Sequence, residues 1–243
     1  MSRRPNETEF EAHFAQQMVA MGYLQRNPED YDRKDALLKF DLIDYLKDTQ
    51  LDEYNKLIEE TGSEEMAQRS LFARIRTELK KGTLHVLRTE EFEAGFGCRF
   101  RLLGRIPGNE LSPESNMFYT KNRVSFVRQL RYSVREEHAA NEIDIVIFVN
   151  GFPIATIELK NKQTGQTYIN AIKQYMTDRR ADGEPLLAFK RCMVHFAMGT
   201  EQVFMTTKLD GENTRFFPFN MTYQNEGVRS PLGNPYRTSY MWE

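Results

Sequence analysis

Residues 142–160, EIDIVIFVNGFPIATIELK, constrain the fold more than any other stretch of the chain. Two apolar, β-branched runs flank Asn150-Gly151, a dipeptide that accepts the positive φ angles of a tight hairpin turn, so the segment predicts two antiparallel strands. Into these apolar strands the sequence puts Asp144 near one end and Glu158-x-Lys160 near the other. Charges at such positions are costly to bury unless they are paired or bound to a metal. Glu158 and Lys160 are two residues apart and project from one face of their strand. Whether Asp144 joins them depends on the parity of the turn. A strict two-residue loop sets Asp144 opposite Ile157 and sends Glu158 to the other face. A three-residue loop, or a bulge, sets Asp144 opposite Glu158.

If the three groups converge, two carboxylates at cross-strand distance repel by roughly 4 kcal/mol at an effective dielectric near 20. A divalent cation turns that repulsion into a binding site. Oxygen donors alone, with the backbone carbonyl of Leu159 between Glu158 and Lys160, suit Mg²⁺ or Mn²⁺ rather than zinc. Such an ion polarises a phosphodiester, and Lys160 is placed to orient an attacking water or to offset the charge of the phosphorane. The chemistry implied is hydrolysis of a nucleic-acid backbone. The competing reading has Asp144, Glu158 and Lys160 as solvated strand ends, since the bare spacing is common. The very apolar strands that these charges interrupt favour a site.

The rest of the chain changes period once. Up to Gly82 the pattern is helical: Phe10, Phe14, Met18 and Met21 follow a Thr8 cap and stop at Gly22, Leu37 to Leu46 and Leu51 to Ile58 form two further stripes, and Leu71, Phe72, Ile75 and Leu79 follow a Ser63 cap. Beyond Gly82 the period shortens toward two. Segments 84–88, 100–103, 125–132, 142–149, 154–160, 193–198 and 203–207 read as strands, interrupted by one strong helix over 166–180 with Ile169, Ile172, Tyr175 and Met176 on its apolar face. Helices followed by strands with one crossover helix predict an α+β fold on a mixed central sheet. The expected organisation is an N-terminal helical layer over 1–82, a core over 83–209, and an irregular segment over 210–243.

Charge divides along the same line. The whole chain is near neutral, at −2, but residues 1–66 carry −8 and the remainder +6. The basic surplus therefore lies with the strands. Cys98 and Cys192 are far apart, with no neighbouring ligand at zinc spacing, which suits a reducing compartment. No apolar run reaches the roughly 18 residues of a membrane span, and the first residues lack a secretory h-region. A cytoplasmic location is expected. Of the basic residues before the hairpin, strand alternation places Arg123, Arg131 and Arg135 on one face and Arg128 on the other. Phosphate contact and a solvated face paired with Glu136 and Glu137 both fit this set. His13, His85, His138 and His195 are scattered and read as structural or surface residues, and 216–219 (FFPF) reads as core.

Ile143-Asp144, the run Val149-Asn150-Gly151-Phe152-Pro153-Ile154, and Ile157-Glu158-Leu159-Lys160-Asn161 resemble the PD-(D/E)xK nuclease motif as it occurs in the restriction (R) subunit of type I restriction enzymes. The resemblance extends to Thr8-Glu9-Phe10, Gly82-Thr83-Leu84, Tyr119-x-x-Asn122, Arg128-Gln129, Ala171-Ile172-Lys173-Gln174-Tyr175, Asp178-Arg179, Phe217-Pro218-Phe219-Asn220 and the end from Gly233 to Glu243. It implies a restriction-endonuclease-like core in which Asp144, Glu158 and Lys160 are catalytic and Asp144, Glu158 and the Leu159 carbonyl hold Mg²⁺, with Mn²⁺ as a substitute.

The same resemblance makes Tyr175, Gln174 and Glu9 accessory candidates, although Ala171 stands where the family often has a glutamine four residues before the tyrosine. Arg123, Arg131, Lys173 and Arg179 are the candidates for DNA phosphate contacts. The implied partners are double-stranded DNA, the specificity and modification subunits, and motor domains of a longer chain. ATP enters only through those motors, because this sequence has no G-x-x-x-x-G-K-[ST] loop. On that basis the chain is expected to be an N-terminal part of such a subunit.

Overall fold

The structure, a computed structural model, describes residues 5–108, 112–161, 165–219 and 238–241; the side chains of 5–7 and of Ser239 are outside the description. Most of the 210–243 segment, including Asn220 and the stretch from Gly233 to Arg237, lies outside the described residues. Seven α-helices are found among those described: α1 (Pro5–Ala20), α2 (Lys39–Thr49), α3 (Leu51–Thr61), α4 (Glu64–Glu78), α5 (Thr83–Arg88), α6 (Pro113–Thr120) and α7 (Tyr168–Thr177). The strands are β1 (Leu24–Arg26), β2 (Phe92–Gly95), β3 (Cys98–Phe100), β4 (Val124–Arg131), β5 (Glu142–Val149), β6 (Phe152–Leu159), β7 (Val194–Met198), β8 (Val203–Thr206) and β9 (Phe217–Pro218).

Seven strands form one mixed sheet in the order β1-β4-β5-β6-β7-β8-β9, and β2-β3 form a separate ribbon. Strands β4, β5 and β6 are antiparallel neighbours; β6 and β7 run parallel because α7 carries the chain across between them. Alternation along the apolar strands gives the sheet two buried faces. Phe10, Phe14 and Met18 of α1 pack with Phe126, Ile145, Ile157 and Leu159 on one face. Ala171 and Tyr175 of α7 pack with Val127, Val146, Phe148 and Ala197 on the other. A third cluster joins α2, α3 and α4 to the β2-β3 ribbon around Tyr45, Tyr54, Leu71 and Phe152.

Several sequence expectations are corrected. Residues 84–88 form helix α5, not a strand: Thr83, Val86 and Leu87 are buried while Leu84 is exposed, a helical spacing that a short window hides. The helix expected over 166–180 is confined to Tyr168–Thr177. Thr167 caps it, accepting a bond from the Ile169 amide, and Asp178 ends it. Helix α6 was absent from the expectation although Ser112-Pro113 is a start signal, with the Ser112 hydroxyl accepting from Ser115 N. Only Phe118 of that helix is buried, so it has almost no apolar stripe to detect.

Candidate active site

The hairpin decides which side chains meet. Asn150 and Gly151 both adopt positive φ, 47° and 80°, forming the two-residue turn that their sequence favours. The Asn150 side chain fixes its surroundings, accepting from the Arg123 amide at 2.7 Å and donating to the carbonyl of Leu102 at 3.0 Å. Next to the turn, Val149 pairs with Phe152 and Phe148 with Pro153. Farther along, Ile147 pairs with Ala155, so Ile154 is an extra residue and the register shifts by one. Ile145 then pairs with Ile157, and the next position sets Asp144 opposite Glu158. A bulge, and not a longer loop, brings the two carboxylates to one face.

That face is the one covered by α7. The Thr156 hydroxyl, two residues before Glu158, lies 2.7 Å from the Tyr175 hydroxyl and 2.7 Å from His195 Nδ1. Burial drives the Tyr175 pKa well above its ordinary value and pushes His195 down to about 4. Both groups are therefore neutral at physiological pH. Asp144 is nearly buried, and its Oδ2 accepts the Leu159 amide at 2.7 Å, which fixes one carboxylate against the strand carrying the other. Across β4, the residue in register with Asp144 is Gln129, which has a left-handed backbone with φ of 51°. Its side chain and that of Arg128 bind Glu11 of α1 at 3.2 and 3.0 Å.

Glu158 is fully buried. Its Oε1 accepts from Arg179 Nε at 2.7 Å, while Oε2 has no hydrogen-bond partner among the described residues. Burial, reinforced by the charge of Asp144 and only partly opposed by Arg179 and Lys160, pushes the Glu158 pKa up to about 8. A buried oxygen without a donor, beside a second carboxylate, is a position where a cation relieves the electrostatic cost. Among the described residues no group of three or more His, Cys, Asp or Glu side chains could hold a metal. Any ion here relies on two carboxylates, backbone oxygen and water, a donor set that fits Mg²⁺.

The raised pKa has a consequence for stability that needs no ligand. Glu158 binds its proton more tightly folded than its ordinary value of 4.5 implies. The stability linked to that proton is complete below about pH 4.5 and is lost as pH rises through about 8. Glu158→Gln keeps an acceptor for Arg179 but cannot ionise. In metal-free buffer its melting temperature is expected to gain steadily on wild type between pH 5 and about pH 8.5, with the gap closing toward acid. Parallel melting profiles would contradict the assignment.

The remaining candidates divide by location. Lys160 is nearly buried at the end of β6, where its charge acts on Glu158. Arg131 and Lys173 are exposed, and Arg131 approaches Glu142 at 3.9 Å. Gln174 is half-buried one position before Tyr175, and Ala171 is buried against the sheet. Arg123 is not brought to the carboxylates: its backbone bonds the turn at Asn150, six residues or roughly 20 Å along β5 from Asp144, and its side chain pairs with Asp48 at 2.9 Å. Glu9 is exposed on α1, which packs on the sheet face opposite Thr156 and Glu158, so it does not join the site.

Arg179 is also corrected. It is buried rather than open to phosphate, with Nη2 donating to the Glu142 carbonyl at 2.7 Å. Thr156 was not singled out in the sequence, and His195, read there as a structural or surface residue, is buried against it. The one legible hint for Arg179 was its position four residues after Tyr175, which carries the Tyr175 face of α7 one turn further.

A mixed sheet with a carboxylate-bearing central hairpin, a following crossover helix and an N-terminal helix behind it defines an α+β domain consistent with the restriction-endonuclease-like class. The chain belongs to the type I restriction enzyme R protein N-terminal family, HSDR_N, whose model matches residues 4–214. No curated protein matches it. Membership places the chain with the R subunit of a type I restriction complex, which implies DNA and further subunits. No helix among the described residues is long and apolar enough to cross a membrane.

Proposed function

We propose that this chain is a Mg²⁺-dependent endonuclease domain that hydrolyses phosphodiester bonds of double-stranded DNA within a type I restriction complex. The observation that carries the reading is the bare, buried Oε2 of Glu158 on the same sheet face as Asp144. Asp144 and Glu158 would hold the ion, with Mn²⁺ as a substitute. The Leu159 carbonyl shares its side of the strand with the amide that already bonds Asp144, so it is available as the third protein oxygen. When bound, Mg²⁺ supplies Lewis acidity toward a phosphate oxygen.

The chain's own groups do the rest. Asp144 is held in place by a backbone amide before any ligand arrives, so no reorganisation is needed at the moment of reaction. The Lys160 ammonium orients a water for attack on phosphorus and offsets the negative charge that grows as one P–O bond forms and another breaks. Its near-complete burial strengthens that interaction. Arg131 and Lys173, exposed on β4 and α7, would contact the phosphates of the strand and add salt dependence without reading bases. Tyr175, tied to Thr156, supports the wall of the site and does not move protons. Base recognition, DNA modification and ATP-driven translocation would belong to the specificity and modification subunits and to motor domains.

The test is cleavage of DNA by the restriction complex containing wild-type, Glu158→Ala or Lys160→Ala chains. Loss of cutting with DNA binding retained supports the reading. Unchanged cutting would reduce the chain to a DNA-binding or subunit-docking module with this fold.

A further inference from the structure

Arg179 lies outside the Asp144 and Glu158-x-Lys160 motif, yet it is buried against it. It follows the C-terminal cap of α7, where its amide bonds the Gln174 carbonyl at 3.0 Å, closing the helix end. From there the guanidinium reaches across to the sheet and makes two bonds of 2.7 Å, one from Nε to Glu158 Oε1 and one from Nη2 to the Glu142 carbonyl. Three elements, the end of α7, the start of β5 and the end of β6, thus meet on one rigid planar group. The usual arrangement of arginine with a carboxylate is a fork that engages both oxygens. Here the second arm is spent on a backbone carbonyl, so Arg179 takes one carboxylate oxygen and leaves the other.

We propose that Arg179 is a positioning residue that restricts Glu158 to a single ligating oxygen and thereby sets the preference of the site for small octahedral cations, Mg²⁺ and Mn²⁺, over Ca²⁺. This rests on the metal reading above. Mg²⁺ demands near-ideal octahedral geometry and keeps several waters, whereas Ca²⁺ takes more oxygens and accepts carboxylates through both. A Glu158 with one oxygen bound to a guanidinium offers a single oxygen in a fixed direction. Freed of the clamp, the carboxylate can rotate and offer both. Lysine at position 179 keeps a charge and one hydrogen bond but cannot hold two acceptors in a plane.

The experiment is Mn²⁺ binding to this chain, followed by electron paramagnetic resonance, with Ca²⁺ as competitor. Wild type, Arg179→Lys, Arg179→Met and Glu158→Ala are compared after circular dichroism has verified folding. The expected result is a shift of the Ca²⁺-to-Mn²⁺ affinity ratio toward Ca²⁺, by about tenfold or more in Arg179→Met and by a smaller factor in Arg179→Lys. If Arg179→Met does not fold, Arg179→Lys carries the comparison. A wild-type ratio in the folded variants overturns the proposal, as does equal strengthening of both ions, which would make Arg179 a simple competitor for the carboxylate. Mn²⁺ binding that is absent in wild type, or unaffected by Glu158→Ala, overturns the metal reading itself.

Discussion

Glu158→Ala is expected to lower DNA cleavage by the assembled complex about 10³-fold or more, and Lys160→Ala by about 10²–10³-fold, the size of a lost electrostatic contact to transition-state charge. Binding of DNA, measured by gel shift at fixed salt, should stay within about threefold of wild type, because the exposed cations that track the backbone are untouched. The two variants fail for different reasons. Removing Glu158 takes away the oxygen left bare beside Asp144 and leaves Arg179 Nε, though not Nη2, without its acceptor. Removing Lys160 leaves both carboxylates and the Leu159 amide in place, so any ion should still bind while the attack on phosphorus loses its cationic support. Normal cutting by both variants would end the catalytic assignment.

Gly151→Ala should be the most damaging single methyl group in the hairpin. Its φ of 80° is a left-handed conformation that costs an alanine roughly 1–2 kcal/mol. A Cβ there would also lie 2.2 Å from the carbonyl oxygen of Leu38, whose amide donates to the Gly151 carbonyl at 2.9 Å. Backbone on both sides leaves nothing flexible to yield. The combined cost is about 3 kcal/mol or more, and the melting temperature should fall by roughly 6–12 °C. Gly62→Ala is the control. Its φ is 85° but nothing lies within 4 Å of the added carbon, so only the conformational cost of roughly 1–2 kcal/mol remains. Equal losses at the two positions would show that the contact with Leu38 is not as drawn.

The hairpin was legible because Asn-Gly carries its own backbone conformation, and the α+β order because helical stripes give way to strand-like runs along the chain, although the helices continue past Gly82 through α5. Its parity was not legible from apolar alternation, since Ile154 is as β-branched as its neighbours. Proline had more to say than alternation. Pro153 lies in β6, a strand with neighbours on both sides, and proline in a central strand is confined to bulges or strand starts because it cannot donate to the ladder. The bulge beside it is what brings Asp144 to Glu158. Residues 84–88 misled because a six-residue helix offers fewer than two turns of period. Arg179 misled for a different reason: a surface arginine and a buried one look alike in sequence, and only the fold shows that its guanidinium ends on Glu158.

The most direct measurement is anomalous diffraction from crystals of this chain grown with Mn²⁺. The account predicts a single strong peak about 2.1 Å from an Asp144 carboxylate oxygen and from Glu158 Oε2, with Oε1 still bound to Arg179. A peak elsewhere, or Asp144 and Glu158 carboxylates directed to opposite faces of the sheet, would contradict it.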